Sequence, residues 1–234
     1  MLSILKKYKI FIGFFVVFSA ITLTAFYLVL KPKKTLPIYN PMDVNPEMVD
    51  STIQHIGNKH TIANFSFINQ NGKIITQKEY EGKIYVADFF FTTCQSICPK
   101  MTNNMVWLQN KLKNNPKVML LSHSVTPEID SVAVLKEYAI RKGVIDSKWN
   151  LVTGDKKQIY YLARKSYLAV KTGNPSELYD MVHTENFILI DAKRRVRGFY
   201  DGTNLDGPTE GGVKNVQQLL EDILFLCDEE NNTK

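Results

Sequence analysis

Two cysteines four positions apart, Cys94 and Cys98, lie in the stretch Thr92-Thr93-Cys94-Gln95-Ser96-Ile97-Cys98-Pro99-Lys100. The nearly continuous apolar run Lys83 to Phe91 (KIYVADFFF) precedes them, and Met101, Met105, Leu108 and Leu112 follow at helical spacing. The pair therefore falls on a strand-to-helix turn. Pro99 suits the first turn of such a helix, because a missing N–H costs nothing there. Free backbone N–H groups and the helix dipole at that position stabilise a thiolate. Three intervening residues put the sulfurs nearly one turn apart, on the same side if the turn is helical. Such a pair can share one metal ion or close a disulfide. The competing reading is two small core residues or a purely structural disulfide. A strand-to-helix turn, where reactive cysteines recur, argues against it.

Asp88 lies six residues before Cys94 inside the apolar run. A carboxylate there is costly unless it is paired or protonated, which makes Asp88 a candidate proton-handling group. The alternative is a solvated Asp on an edge strand. His123, in LLSHSV, reads as a satisfied core histidine. His55 and His60 read as exposed residues in or near a linker. Cys227 reads as a buried free thiol on the last helix, and Met101 and Met105 as helix core, although thioethers also suit soft metal ions. The run Lys193-Arg194-Arg195 reads as a solvated hairpin turn.

The elements that must hold these groups alternate. Phe65–Ile68 and Lys73–Thr76 flank Asn71-Gly72, a hairpin signal. Lys83–Phe91 has the composition of a strand buried on both faces. A strand is expected at Val118–Val125, a helix from about Ser131 to Lys142, a short strand around Trp149–Val152 and a helix at Asp155–Ser166. Phe187–Asp191 and Val196–Tyr200 read as a hairpin, and Val213–Cys227 as a last amphipathic helix. Short connections between alternating β and α elements predict an α/β sheet with helices on both faces.

Ile10 to Leu30 contains 21 residues without a charge, which at ~1.5 Å per residue spans a hydrocarbon core of ~30 Å. A cleaved signal peptide would have a shorter apolar region ending in a small-x-small site. Ala20 and Ala25 have Phe18 and Leu23 two residues upstream, so neither completes that site. An uncleaved single-pass anchor is expected within 1–34, then a Pro-containing linker over 35–60 and a folded domain over 61–230. Three lysines flank each end of the apolar run, so charge alone does not orient it. An N-terminus inside and a domain outside is the simpler arrangement. Of 29 basic residues, six lysines lie in 1–34, leaving 23 against 23 acidic ones. The basic excess thus belongs to the anchor, whose contact is membrane lipid, and a nucleic-acid partner is not expected.

The segment DFFFTTCQSICPKM resembles the copper-site segment of the Sco/SenC family, with its Cys-x-x-x-Cys-Pro signature after a strand. The resemblance extends over most of residues 50–226. Ser124-Val125-Thr126-Pro127-Glu128, with Leu135–Ala139, is similar to the family's Ser-x-Asp-Pro-Glu segment and following helix. Val182-His183-Thr184 before FILID is similar to the segment carrying its third copper ligand. The resemblance implies a thioredoxin-like fold, membrane-anchored on the extracytoplasmic or periplasmic side of the inner membrane. It implies copper, as Cu(I) or Cu(II), held by Cys94, Cys98 and His183. It also implies a role in metallating the copper-site subunit of cytochrome c oxidase, with other copper chaperones or thiol–disulfide reductants as further partners. Two departures stand out: Val182 where many members have Asp, and Thr126 where the Asp of Ser-x-Asp-Pro usually stands. The partner of the His183 imidazole must then come from elsewhere, with Glu185 or a backbone carbonyl as candidates.

Thioredoxins carry a buried Asp at the offset of Asp88, which keeps a second class of function open. The expected function is a copper chaperone, a transfer protein and not an enzyme in the strict sense. The alternative is a thiol–disulfide oxidoreductase using Cys94 and Cys98 as its redox pair. A thiol peroxidase shares the fold but is disfavoured, since no Arg stands close to either cysteine.

Overall fold

The computed structural model describes residues 8–30, 35–46, 49–169, 184–209 and 211–232, in two compact units divided between Thr35 and Leu36. In the first unit, α1 (Lys9–Leu30) is one uninterrupted 22-residue helix, long and apolar enough to cross a membrane. Thr22 and Thr24 turn their hydroxyls back onto the carbonyls of Phe18 and Ala20, so neither polar group needs an outside partner.

The second unit is built on a seven-stranded mixed sheet. Its strands are β1 (Ser66–Asn69), β2 (Ile74–Thr76), β3 (Ile84–Phe90), β4 (Val118–Ser124), β5 (Trp149–Thr153), β6 (Asn186–Ile190) and β7 (Val196–Asp201). Their order is β2-β1-β5-β4-β3-β6-β7, with β3, β4 and β5 parallel and the remaining pairs antiparallel. The hairpin of β1 and β2 turns through Gly72, whose φ of +73° is the left-handed conformation a side chain would resist.

Every residue of β3 and β4 is buried, as strands covered on both faces require. Alternation along β3 divides the core. Val86 and Phe90 face Met101, Met105 and Leu108 of α2 (Cys98–Leu112), Leu135 of α3 (Val132–Lys142) and Leu219 and Ile223 from the last helix (Val216–Asn232). Tyr85, Ala87 and Phe89 face Ile159 of α4 (Lys156–Tyr161) and Leu162 and Ala163 of the π-helical turn after it. That last helix, α5, thus shares one face of the sheet with α2 and α3.

The stretch expected to be a linker is fastened to the sheet over most of its length. Leu36, Val49 and Ile62 are buried, and Tyr39 donates its N–H to the Val196 carbonyl on the edge strand β7. The Arg197 guanidinium, itself buried, binds the Leu36 and Pro37 carbonyls at 2.9 and 3.0 Å while pairing with Asp191 at 3.0 Å. The prolines here do not free the chain, because one antiparallel bridge from Tyr39 to Val196 and the Arg197 bonds hold it against the edge strand β7.

Candidate metal and redox centre

The C-terminal end of β3 runs into a turn at Thr92–Ile97 and then into α2, whose first residue is Cys98. Ile97 precedes the helix in a helical conformation and offers no capping side chain. Pro99 has no N–H, and the Lys100 and Met101 N–H groups close on the Ile97 carbonyl, so the Cys98 N–H is the one left for whatever the turn places in front of it. What it places there is sulfur. Cys94 is partly exposed, its Sγ 3.7 Å from the Ser96 hydroxyl, while Cys98 is buried in the core beneath α2.

This difference in burial splits their acidities. Burial opposes ionisation of Cys94, but hydrogen bonds from the Cys98 thiol, the Cys98 and Ser96 N–H groups and the Ser96 hydroxyl outweigh it, bringing the thiol down to about 7. Burial pushes Cys98 up to about 12, helped by the neighbouring Cys94 and by the charge of Asp88. The arrangement presents one thiolate at neutral pH and a second sulfur held in reserve behind it. A soft monovalent ion or a disulfide sulfur fits such a donor pair.

Asp88 is buried on a central strand, on the same β3 face as Val86 and Phe90, so the solvated edge-strand alternative does not hold. Desolvation raises its carboxyl to about 7, against a hydrogen bond donated by the Ser122 hydroxyl. Ser122 in turn accepts from the Trp149 indole at 2.8 Å.

His123 lies on the opposite face, stacked on Phe89 at 4.9 Å and enclosed by Phe65, Phe67 and Tyr167. Its Nδ1 is 3.4 Å from the Asp88 carbonyl oxygen, but its buried Nε2 has no partner, so the expectation of a satisfied core histidine holds for one nitrogen only. His60 is half-buried, with Nε2 2.8 Å from the Ser166 carbonyl, contrary to its reading as exposed; His55 is exposed. Cys227 is buried in α5 and accepts from Asn115, 3.5 Å away. Met101 and Met105 are core residues.

His183 and Val182 lie outside the described residues. Among the described residues, no group of three or more His, Cys, Asp or Glu side chains could hold a metal ion. The described residues resume at Thr184, and the backbone carbonyl of Glu185, an exposed residue, accepts the Gly202 N–H at 2.7 Å. The Gly202 carbonyl accepts from Asn104 of α2 at 2.8 Å, so the residues just after His183 are joined to the helix that carries Cys98.

The sequence reading missed Asp130. This fully buried carboxylate receives the Thr92 N–H and hydroxyl and the hydroxyls of Ser124 and Thr126. A signal was present in Ser124-Val125-Thr126-Pro127-Glu128-Ile129-Asp130, whose acid follows a Pro turn and directly precedes the N-cap Ser131.

The SCO1/SenC family model matches residues 53–221. The chain belongs to that family. A curated family relative, the SCO1 protein homolog of Bacillus subtilis, is 36% identical over 140 residues, covering 59% of this chain and 72% of the relative. The fold is that of solved Sco structures. BsSco, described as a member of the Sco family of cytochrome c oxidase assembly proteins with a disulfide switch, aligns at a TM-score of 0.57 and 30% identity, covering 70% of this chain and 92% of its own. Arabidopsis thaliana ScoI, solved with copper bound, aligns at a TM-score of 0.54 and 26% identity, covering 71% and 98%.

Proposed function

We propose that this protein is a membrane-anchored copper chaperone that holds one copper ion through Cys94, Cys98 and His183. Its cargo goes to the copper site of cytochrome c oxidase, from a domain on the extracytoplasmic side of the membrane. The observation that carries this reading is the uneven thiol pair at an uncapped helix start, in a member of the SCO1/SenC family. Two sulfurs and an imidazole make a three-coordinate site for Cu(I), from which cargo can leave by ligand exchange. A structural zinc site would want a fourth ligand. Cys94, the more exposed sulfur, is the one an incoming ligand reaches first. The test is metal analysis of the detergent-solubilised full chain, reduced and anaerobic, offered Cu(I). One bound copper that disappears in Cys94→Ser supports the reading, and no retained copper overturns it.

Asp88 favours a second reading, thiol–disulfide exchange on the cysteines of the same target. The Cys94 thiolate attacks a target disulfide and forms a mixed disulfide, releasing one target thiol. Cys98 then attacks Cys94 Sγ, the Cys94–Cys98 bond forms and the second target thiol leaves. Cys98 must lose its proton in that second step, and a nearby carboxylate titrating at about 7 is a base matched to the task. Asp88→Asn should slow exchange about a hundredfold or more at pH 7 and leave Cu(I) binding nearly intact. An equal loss of copper binding would sink this division of labour.

A further inference from the structure

Asp130 stands between the end of β4 and the start of α3, and none of its side chain reaches solvent. A carboxylate in that position is tolerable only if its oxygens are occupied, and here four donors occupy them. Ser124 and Thr126 give their hydroxyls to Oδ2 at 2.6 and 3.1 Å. Thr92 gives its hydroxyl to Oδ1 at 2.5 Å and its backbone N–H to Oδ2 at 3.2 Å. Two of these donors belong to the strand and turn that carry Asp130, and the other two come from the turn that carries Cys94. The ladder between β3 and β4 ends at Phe90 opposite Ser124, with the Val125 N–H on the Phe90 carbonyl. Asp130 carries the connection past the last ladder bond to Thr92. Cys94 is two residues further on, its N–H held by the Phe91 carbonyl at 3.3 Å.

We propose that Asp130 is a positioning residue of the cysteine turn: through Thr92 it fixes Cys94 in front of Cys98, and so sets how readily the two sulfurs close on each other or on one Cu(I). The inference rests on the reading of Cys94 and Cys98 as the reactive pair. Releasing Thr92 lets the turn sample more conformations, and the entropy of recovering the closed one is charged to both processes. Both equilibria should therefore weaken together.

The test uses the detergent-solubilised full chain as wild type, Asp130→Ala, Asp130→Asn, Thr92→Val and the pair Thr92→Val with Asp130→Asn. Gln109→Ala serves as a control that breaks partly buried hydrogen bonds to Gly143 and Ile145, far along α2 from the site. Each is equilibrated with dithiothreitol, whose oxidised form takes the two electrons and two protons given up as the Cys94–Cys98 bond forms. Cu(I) affinity is measured by competition with a chromophoric chelator. Asp130→Ala should shift the disulfide equilibrium toward dithiol about tenfold, about 30 mV, and weaken Cu(I) about as much. Thr92→Val should do the same to a smaller degree, and the double variant should fall short of the sum, since both changes cut one connection. Gln109→Ala should move neither equilibrium. If Asp130→Ala does not fold, Thr92→Val and Asp130→Asn carry the same comparison. Wild-type values in these variants, or equal shifts in Gln109→Ala, would overturn the assignment. A wild type that forms no disulfide and binds no Cu(I) would instead overturn the site reading itself.

Discussion

Nδ1 of His123 lies 3.4 Å from the backbone carbonyl oxygen of Asp88, so two buried titratable residues meet across neighbouring strands in the middle of the sheet. Their pH dependences oppose each other. Burial pushes the His123 ring from 6.5 down to about 3, so between those values the unfolded chain binds a proton that the folded one refuses. Stability from this residue is complete above pH 6.5 and falls on acidification. Asp88 is raised from 3.8 to about 7, so in that window the folded chain holds a proton that the unfolded one releases. Its contribution is complete below pH 3.8 and falls as pH rises. Each slope is about 1.4 kcal/mol per pH unit, and between about pH 4 and 6.5 they cancel. Asp88→Asn should leave the His123 slope alone, so its urea midpoint should fall steadily from pH 6.5 to 4. His123→Phe should show the reverse trend. Parallel profiles for wild type and both variants would refute the pairing.

Alkylation should separate the two cysteines of the turn. Labelling of Cys94 by iodoacetamide is expected to reach half its maximal rate near pH 7 in the folded, reduced protein. Cys98 should stay unlabelled at that pH, being buried and raised to about 12. Mass spectrometry of the digested protein reads both sites at once, and equal labelling at pH 7 contradicts the assigned asymmetry.

Substitutions at the proposed copper ligands should differ in kind. Replacing Cys94 or Cys98 by Ser removes a thiolate and should abolish tight Cu(I) binding. His183→Ala leaves two thiolates, which hold Cu(I) in two-coordinate form, so Cu(I) affinity should fall only moderately while Cu(II) binding is lost. The Cys94–Cys98 disulfide should still close in that variant. Copper stoichiometry in both oxidation states checks this, and unchanged binding of both would remove His183 from the site.

The start of the folded domain should be sharply defined by Arg197. A chain beginning at Pro41 lacks the Leu36 and Pro37 carbonyls and leaves buried guanidinium donors without them. It should be about 1–3 kcal/mol less stable than one beginning at Thr35. Urea unfolding of the two chains gives the difference directly, and equal midpoints would show that the fastening contributes nothing.

What could be read from the sequence was what neighbouring residues decide. The cysteine turn was legible because an apolar strand, a Cys-Pro and a helical Met and Leu pattern adjoin one another. Burial of Asp88 followed from its flanking residues alone. Asp130 escaped because its carboxylate is explained by Thr92, 38 residues earlier, and nothing in either local pattern announces the other. The fastening of residues 36–62 escaped for a related reason. Its proline content signals a spacer, while its attachment runs through backbone carbonyls to an arginine 161 residues away from Leu36. His123 was legible as core, but the orphaned Nε2 depends on which rings surround it, and those come from three separate segments.

The missing side-chain cap at Ile97 makes the first turn of α2 a reporter. The Cys94 sulfur takes the place a capping oxygen would fill, receiving backbone N–H groups from Ser96 and Cys98. A thiolate is a strong acceptor there, a disulfide sulfur a weak one, and a sulfur bonded to a metal ion lies in between. The fraying of one helical turn is thereby coupled to the chemical state of one atom. Amide hydrogen exchange at that turn should be slow in the reduced protein and faster in the oxidised one, so a residue-resolved exchange rate can serve as a gauge of the site's redox history without any label on the sulfur.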